Sequence, residues 1–227
     1  MQILNPNWPN ASRIKAFTTL KTCKLETLNL PKNQFLLNQE HGNKILNAEE
    51  LFTSTGTPSA DGSYTTKANV ACIVKTADCL PILIMDLSES FVAAIHAGWR
   101  GLSNGIINNF FQQIKPLNLN IKNLLFWLGP AIGPSAFEVG EDVFKKFSTI
   151  AYYDYKPAFK KITTNKISNK YLANIYKIAI INLCQLGIKQ HQIFTENLCT
   201  YSRNDLFYSY RKEPNNENRM YSIIWIK

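Results

Sequence analysis

The chain has 227 residues, 45% of them hydrophobic, and a formal net charge of +9. That length suits one large domain or two small ones, and the apolar fraction supports a packed core. No run of about 18 apolar residues occurs, which excludes a membrane-spanning helix. The opening Met1 to Phe17 lacks the basic and then apolar regions of a signal peptide, so the expected compartment is the cytoplasm. Lys and Arg are scattered among Asn and Ile with no tight block. Nucleic acid is therefore not an expected partner, although the mild positive bias would attract anionic small molecules.

Taken in chain order, Pro31 to Ser63 is polar and Asn-rich and reads as loops around a short strand at Phe35 to Leu37. Three apolar runs follow: Val70 to Lys75, Leu80 to Asp86 and Phe91 to His96. Their length and β-branched content predict strands. Leu102, Ile106, Phe110 and Ile114 recur at helical spacing, with Ile107 and Phe111 widening the stripe, and Pro116 stops that helix. Leu124 to Gly129 reads as a strand and Glu141 to about Phe147 as a helix. Tyr152 to Lys170 is irregular. A further helix carries Leu172, Ile175, Ala179, Leu183 and Leu186, with Gly187 as its C-cap. Leu206 to Tyr210 and Met220 to Ile226 close the set as strands. The strands cluster too tightly for strict β-α-β alternation, so the predicted class is α+β with a mixed sheet covered by helices.

Five cysteines, an odd number with no Cys-x-x-Cys, argue against a disulfide framework or a zinc ribbon. Cys72 and Cys184 lie in apolar runs and read as core. Only three histidines occur. His41 lies in a polar loop, Gln39-Glu40-His41-Gly42. His96 ends an apolar strand before Ala97-Gly98-Trp99-Arg100-Gly101, at the strand end where active sites of such sheets often form. His191 reads as a surface connector. Cys79 lies in Thr76-Ala77-Asp78-Cys79-Leu80-Pro81, a polar interruption between two apolar strands. Two histidines and a cysteine make a zinc site with one open position, the form of a catalytic site. The same atoms serve a metal-free reading, with Cys79 as nucleophile and a histidine as its base. Asp78 is either a turn former or a functional carboxylate. The stiff loop Gly129-Pro130-Ala131-Ile132-Gly133-Pro134, followed by Phe137-Glu138-Val139-Gly140, offers backbone amides to a ligand or is a surface turn. Arg100, at a helix start, suits a phosphate or a surface ion pair.

These segments, with Ala60-Asp61-Gly62, Phe207-Tyr208-Ser209-Tyr210-Arg211 and Arg219-Met220, follow one another in the order of a known family. The chain resembles the YfiH-type family, described both as laccase-like polyphenol oxidase and as purine nucleoside phosphorylase. The resemblance implies one catalytic domain over residues 1–227 in a layered α-β-β-α arrangement. It implies a metal site, usually zinc, held by His41, Cys79 and His96. It implies phosphorolysis of adenosine, inosine and methylthioadenosine, plus adenosine deamination, with nucleoside and phosphate as small-molecule partners and no membrane. Some members are linked instead to editing of peptidoglycan precursors, which would suit an amidase built on Cys79. Within that frame Arg100 is the candidate phosphate holder, with Gln39 and Gly133 also binding substrate. Asp78 and Glu138 are candidate acid/base or supporting groups. The sequence departs from the family pattern at Ser135 and at Glu213 to Asn218. A multicopper laccase needs a multi-histidine cluster beyond one blue-copper site. After His41 and His96 only His191 remains, so any copper chemistry in vitro would be adventitious. The deaminase signature with Pro-Cys-x-x-Cys is also absent.

Overall fold

A computed structural model describes residues 2–9, 11–53, 56–163 and 169–227, with backbone only at 51–53. The strands, in chain order, are β1 Ile3–Leu4, β2 Ile14–Thr19, β3 Asn33–Phe35, β4 Ile45–Asn47, β5 Gly62–Thr65, β6 Val70–Thr76 and β7 Leu80–Asp86. They continue as β8 Val92–Ala97, β9 Leu124–Leu128, β10 Glu138–Gly140, β11 Phe159–Lys161, β12 Lys170–Ala173, β13 Ile193–Thr195 and β14 Met220–Ile226. The helices are α1 Trp99–Ser103, α2 Ile106–Ile114, α3 Glu141–Ser148 and α4 Ile175–Gln185.

Two large mixed sheets pack face to face. One runs β1-β2-β14-β6-β3, the other β13-β9-β7-β8-β5-β4, and a small third sheet runs β10-β12-β11. The continuous apolar run of β7 has a simple cause: both of its faces are covered. Leu80, Ile82 and Ile84 pack toward α1, α2 and α4, while Leu83 and Met85 meet Val70, Cys72 and Val74 of the facing sheet. Truncating a fully buried aromatic here, such as Phe126, would cost about 3–5 kcal/mol. The class is α+β, as expected. The fourth layer is thin: Leu25, Leu28 and Leu30, around one 3-10 turn, cover the outer face of the five-stranded sheet.

Several elements differ from the sequence reading. Leu206 to Tyr210 forms no strand. Phe207 and Ser209 alternate inward as a strand would, but the local amides bond within turns, Phe207 N–H to the Arg203 carbonyl for instance. Leu172 belongs to β12, not to a helix, because Asn174 intervenes and caps α4 by accepting from Lys177 N–H at 3.0 Å. The stripe from Leu102 to Ile114 is split: Gly105 at φ +79° ends α1 and restarts the chain as α2. The strand expected at Phe35 to Leu37 lies two residues earlier, at β3. The sequence reading did not assign β2, β4, β5 or the small sheet, all of which are short or polar.

Candidate metal centre

The six-stranded sheet builds the centre at one end. In the β7–β8 pair Pro81 lies opposite His96 and Leu80 opposite Ala97. Cys79, one residue before β7, therefore reaches the same edge as His96. Asp78 makes the preceding turn at φ +84°. His41 comes from the loop before β4, itself in a left-handed conformation at φ +58°. Its ring meets that of His96 edge to face, centroids 4.8 Å apart. The donor atoms of His41, Cys79 and His96 all lie within 4.8 Å of one another. His96 is buried, Cys79 is half-buried and His41 is exposed.

Asp61, immediately before β5, ties these pieces together. Gly62 pairs with Ile95, where a Cβ would come within 2.9 Å of the Ala94 carbonyl, so only glycine lets β5 approach so closely. That register sets Asp61 beside His96. Its Oδ1 lies 2.8 Å from His96 Nδ1 and accepts from His41 N–H at 2.9 Å, while its Oδ2 accepts from Gly42 N–H at 2.7 Å.

Charge follows from these contacts. Burial alone would raise the Cys79 thiol, but the His96 and His41 imidazoles outweigh it and lower it from 9.0 to about 6. Burial alone would lower His96, but the Cys79 thiolate and Asp61 raise it to about 9. Each charged form thus stabilises the other.

The residues fit a metal ion on three counts. Two imidazoles and a thiolate are a zinc-type donor set. Donors at about 2.0–2.3 Å from zinc stand about 3.5 Å apart, so this set needs to contract by little more than about 1 Å. Gly98 keeps the space clear: a Cβ there would stand 3.0 Å from Cys79 Sγ and 3.2 Å from His41 Cδ2. The backbone of Gly98 is ordinary (φ −68°, ψ 161°), so the missing side chain matters for space and not for conformation.

The donors open into a cleft of about 700 Å³. Lys75, Arg100, Arg211 and Arg219 also line it, against the acids Asp78 and Glu217, and Trp99, Ile132, Phe137 and Tyr210 give it apolar surface. Arg100 lies over the Trp99 ring at 4.6 Å. Among the described residues neither Lys75 nor Arg100 has a carboxylate within ion-pair distance.

The remaining sequence candidates are placed unequally. Gln39 lines the cleft, but its amide is engaged with the Lys75 backbone, donating at 2.8 Å and accepting at 2.7 Å. Asp78 lines it with both carboxylate oxygens taken, by the Thr200 hydroxyl at 2.5 Å and Arg211 N–H at 2.6 Å. Gly133 turns its amide away, donating to Cys199 Sγ at 3.1 Å. Glu138 pairs with Lys170 at 2.5 Å on the exposed surface, and His191 lies in an exposed 3-10 turn. Neither Gly133, Glu138 nor His191 lines the cleft. Sequence reasoning gave Asp61 no role, although a carboxylate wedged between a buried Ala60 and an obligatory Gly62 was a usable signal. Arg211 and Arg219 stood in the family's motifs but were given no role, and Lys75 carried no signal that set it apart from the other scattered cations.

Three donors with a position left open beside a cleft are what a catalytic rather than a structural metal site offers. Comparison with known proteins narrows the class. The family model described as multi-copper polyphenol oxidoreductase laccase matches residues 19–227, and the chain belongs to that YfiH-type family. It is similar to a purine nucleoside phosphorylase of Haemophilus influenzae, 36% identical over the whole of both chains. It is similar to purine nucleoside phosphorylase YfiH of Escherichia coli, 40% identical over 87% of this chain and 76% of the other. The crystal structure of a Neisseria meningitidis protein matches with a TM-score of 0.87 and 32% identity, covering 100% of each chain. Among the described residues no helix is long and apolar enough to cross a membrane.

Proposed function

We propose that this chain is a zinc-dependent purine nucleoside phosphorylase of the cytoplasm, acting on adenosine, inosine and methylthioadenosine, with adenosine deamination as a second activity. One observation carries the reading: the three donors open into the same cleft as the unpaired cations Lys75 and Arg100. A neutral nucleoside alone needs no such charge, whereas the attacking phosphate does. Arg100, its guanidinium plane supported by Trp99, can grip phosphate in bidentate fashion. The apolar surface of Phe137, Ile132 and Tyr210 suits the flat base. Holding phosphate and ribose together in one cleft supplies proximity, a large part of such a barrier. Asp78 braces the cleft wall, since both its oxygens are engaged. Zinc held by His41, Cys79 and His96 would supply Lewis-acid polarisation. Three histidines in the whole chain support one such site and not a laccase cluster.

A turnover screen on inosine, adenosine and methylthioadenosine, with and without phosphate and chelator, tests this. Base release should require phosphate and stop on metal removal. Arg100→Ala should raise the phosphate KM or lower kcat for phosphorolysis while sparing deamination. Base release that ignores both phosphate and chelator would refute the reading.

A second reading is favoured by the contacts that run from Asp61 through His96 to Cys79, the order of orienter, base and nucleophile in cysteine hydrolases. It would make the chain an amidase for a peptidoglycan precursor. In that case iodoacetamide should alkylate Cys79 in the untreated enzyme, at a rate that climbs with pH through about 6, and chelator should leave activity on a muramoyl-amino-acid nucleotide intact. With metal in place, alkylation should wait for the chelator.

A further inference from the structure

The geometry points to Asp61 as the positioning residue that readies both histidines for metal, through one carboxylate. The inference rests on the metal-centre reading above. Four hydrogen-bonding nitrogens converge on this side chain: His96 Nδ1 at 2.8 Å and the backbone N–H groups of Glu40, His41 and Gly42 at 3.3, 2.9 and 2.7 Å. Asp61 itself is buried and tied down at its backbone. It is 1% exposed, its N–H donates to the Lys44 carbonyl at 2.9 Å and its carbonyl accepts from His96 N–H at 2.7 Å.

The consequences differ for the two histidines. An ionised carboxylate only accepts, so the nitrogen of His96 that faces it carries a proton. The proton that leaves when a metal binds is then the one on Nε2, so the lone pair offered to the metal is there. For His41 the carboxylate acts on the backbone. A left-handed φ of +58° is unfavourable for a residue with a Cβ, and the bonds from residues 40, 41 and 42 to Asp61 hold the loop in that turn. One buried group thus fixes the proton position of one ligand and the backbone of the other, although they are 55 residues apart in sequence (96 − 41).

Asparagine has the same shape and cannot do both tasks. It offers one acceptor oxygen, and its NH₂ must face donors. Turned toward His96, its oxygen keeps the His41 N–H as well, but its NH₂ faces the Glu40 and Gly42 amides and loosens the loop on either side of His41. Turned toward the loop, it presents N–H groups to Nδ1 and drives the His96 proton to Nε2, where it blocks the metal. Either way one ligand is lost from readiness.

The test is zinc affinity, measured by competition with a chromophoric chelator, on wild type and Asp61→Asn. Loss of such an outer partner should weaken zinc binding about 10–100-fold. Histidine-selective ¹⁵N spectra of the zinc-loaded wild-type protein should put metal on Nε2 and a proton on Nδ1 of His96, an observation that stands even where the variant does not fold. Asp61→Glu, which keeps the charge, should recover part of the affinity. Wild-type zinc affinity in Asp61→Asn, with only a lowered unfolding midpoint, would make Asp61 structural and overturn the inference. Metal on Nδ1 of His96 would do the same. A wild-type protein that binds no zinc would instead sink the metal-centre reading itself, and this inference with it.

Discussion

His96 and His41 face one another across the same few ångströms, yet the chain holds them by opposite means. His96 lies 3% exposed inside β8, flanked by strands on both sides and bonded to a buried carboxylate. His41 is exposed, sits on a loop and occupies backbone territory that disfavours its own side chain. The contrast separates two contributions that a metal site usually confounds. At His96 the ligand is also part of the fold. At His41 the ligand is added at some cost to the fold, and strain of this kind marks function.

Removing the two side chains sharpens that difference and should give the largest effects. His96→Ala and His41→Gly should each weaken metal binding beyond the about 100-fold expected for a supporting residue, with turnover lost in parallel. Their effects on the metal-free protein should diverge. His96→Ala leaves Asp61 buried with one partner fewer and should cost about 3–5 kcal/mol. His41→Gly places the one residue suited to φ +58° at that position and should leave stability unchanged or raise it by about 1 kcal/mol. Urea unfolding of the chelator-treated variants reads the difference. Equal destabilisation by both would show that His41 is as structural as His96.

The next test adds matter where the chain has none. Gly98→Ala suits the local backbone and projects a methyl group between Cys79 and His41, at 3.0 and 3.2 Å. Overpacking of this kind costs about 1–3 kcal/mol. Here the cost should fall on the donor geometry, since the His41 loop yields more readily than the sheet. Zinc affinity should fall while metal-free stability holds. A variant with wild-type zinc affinity would mean that the donors lie further from Gly98 in the loaded protein.

These contrasts also explain how much the sequence could reveal. Strands buried on both faces appear as unbroken apolar runs: the limits of β7 are legible to the residue, and those of β6, β8 and β9 to within one. Cys79 and His96 stand at the ends of such runs, so the strand-borne half of the site was visible in the same pattern. The loop half was not. His41 could be nominated from the scarcity of histidine, but its approach depends on Asp61, and Asp61 depends on the register of Gly62 against Ile95, a pairing no local pattern encodes. Leu206 to Tyr210 shows the converse failure. Its alternation is real in burial but has no ladder behind it: Tyr208 N–H meets the Met220 sulfur at 3.0 Å and Arg211 N–H meets Asp78. Arg211 and Arg219 enter the cleft from that irregular segment, where nothing in composition separates them from other surface cations.

The smallest expected effect concerns the two carboxylates nominated as acid/base groups, which the structure holds in unlike ways. Asp78 is buried, and both of its oxygens are engaged. Asp78→Asn should lose one of those bonds and cost about 1–3 kcal/mol. Glu138 is attached to the cleft only through its main chain, where its carbonyl accepts from Arg211 Nη2 at 3.0 Å. Its carboxylate points to solvent and pairs with Lys170, and exposed pairs are worth about 0.2–1 kcal/mol. Glu138→Gln preserves the carbonyl and removes only the charge, so turnover and its pH profile should be unchanged and stability should drop by no more than that amount. Arg211→Ala should do more harm than Glu138→Gln, because it severs the contact that joins the two loops. If kcat instead collapses in Glu138→Gln and one limb of the pH profile disappears, the carboxylate must swing into the cleft during turnover, and the acid/base assignment belongs to Glu138.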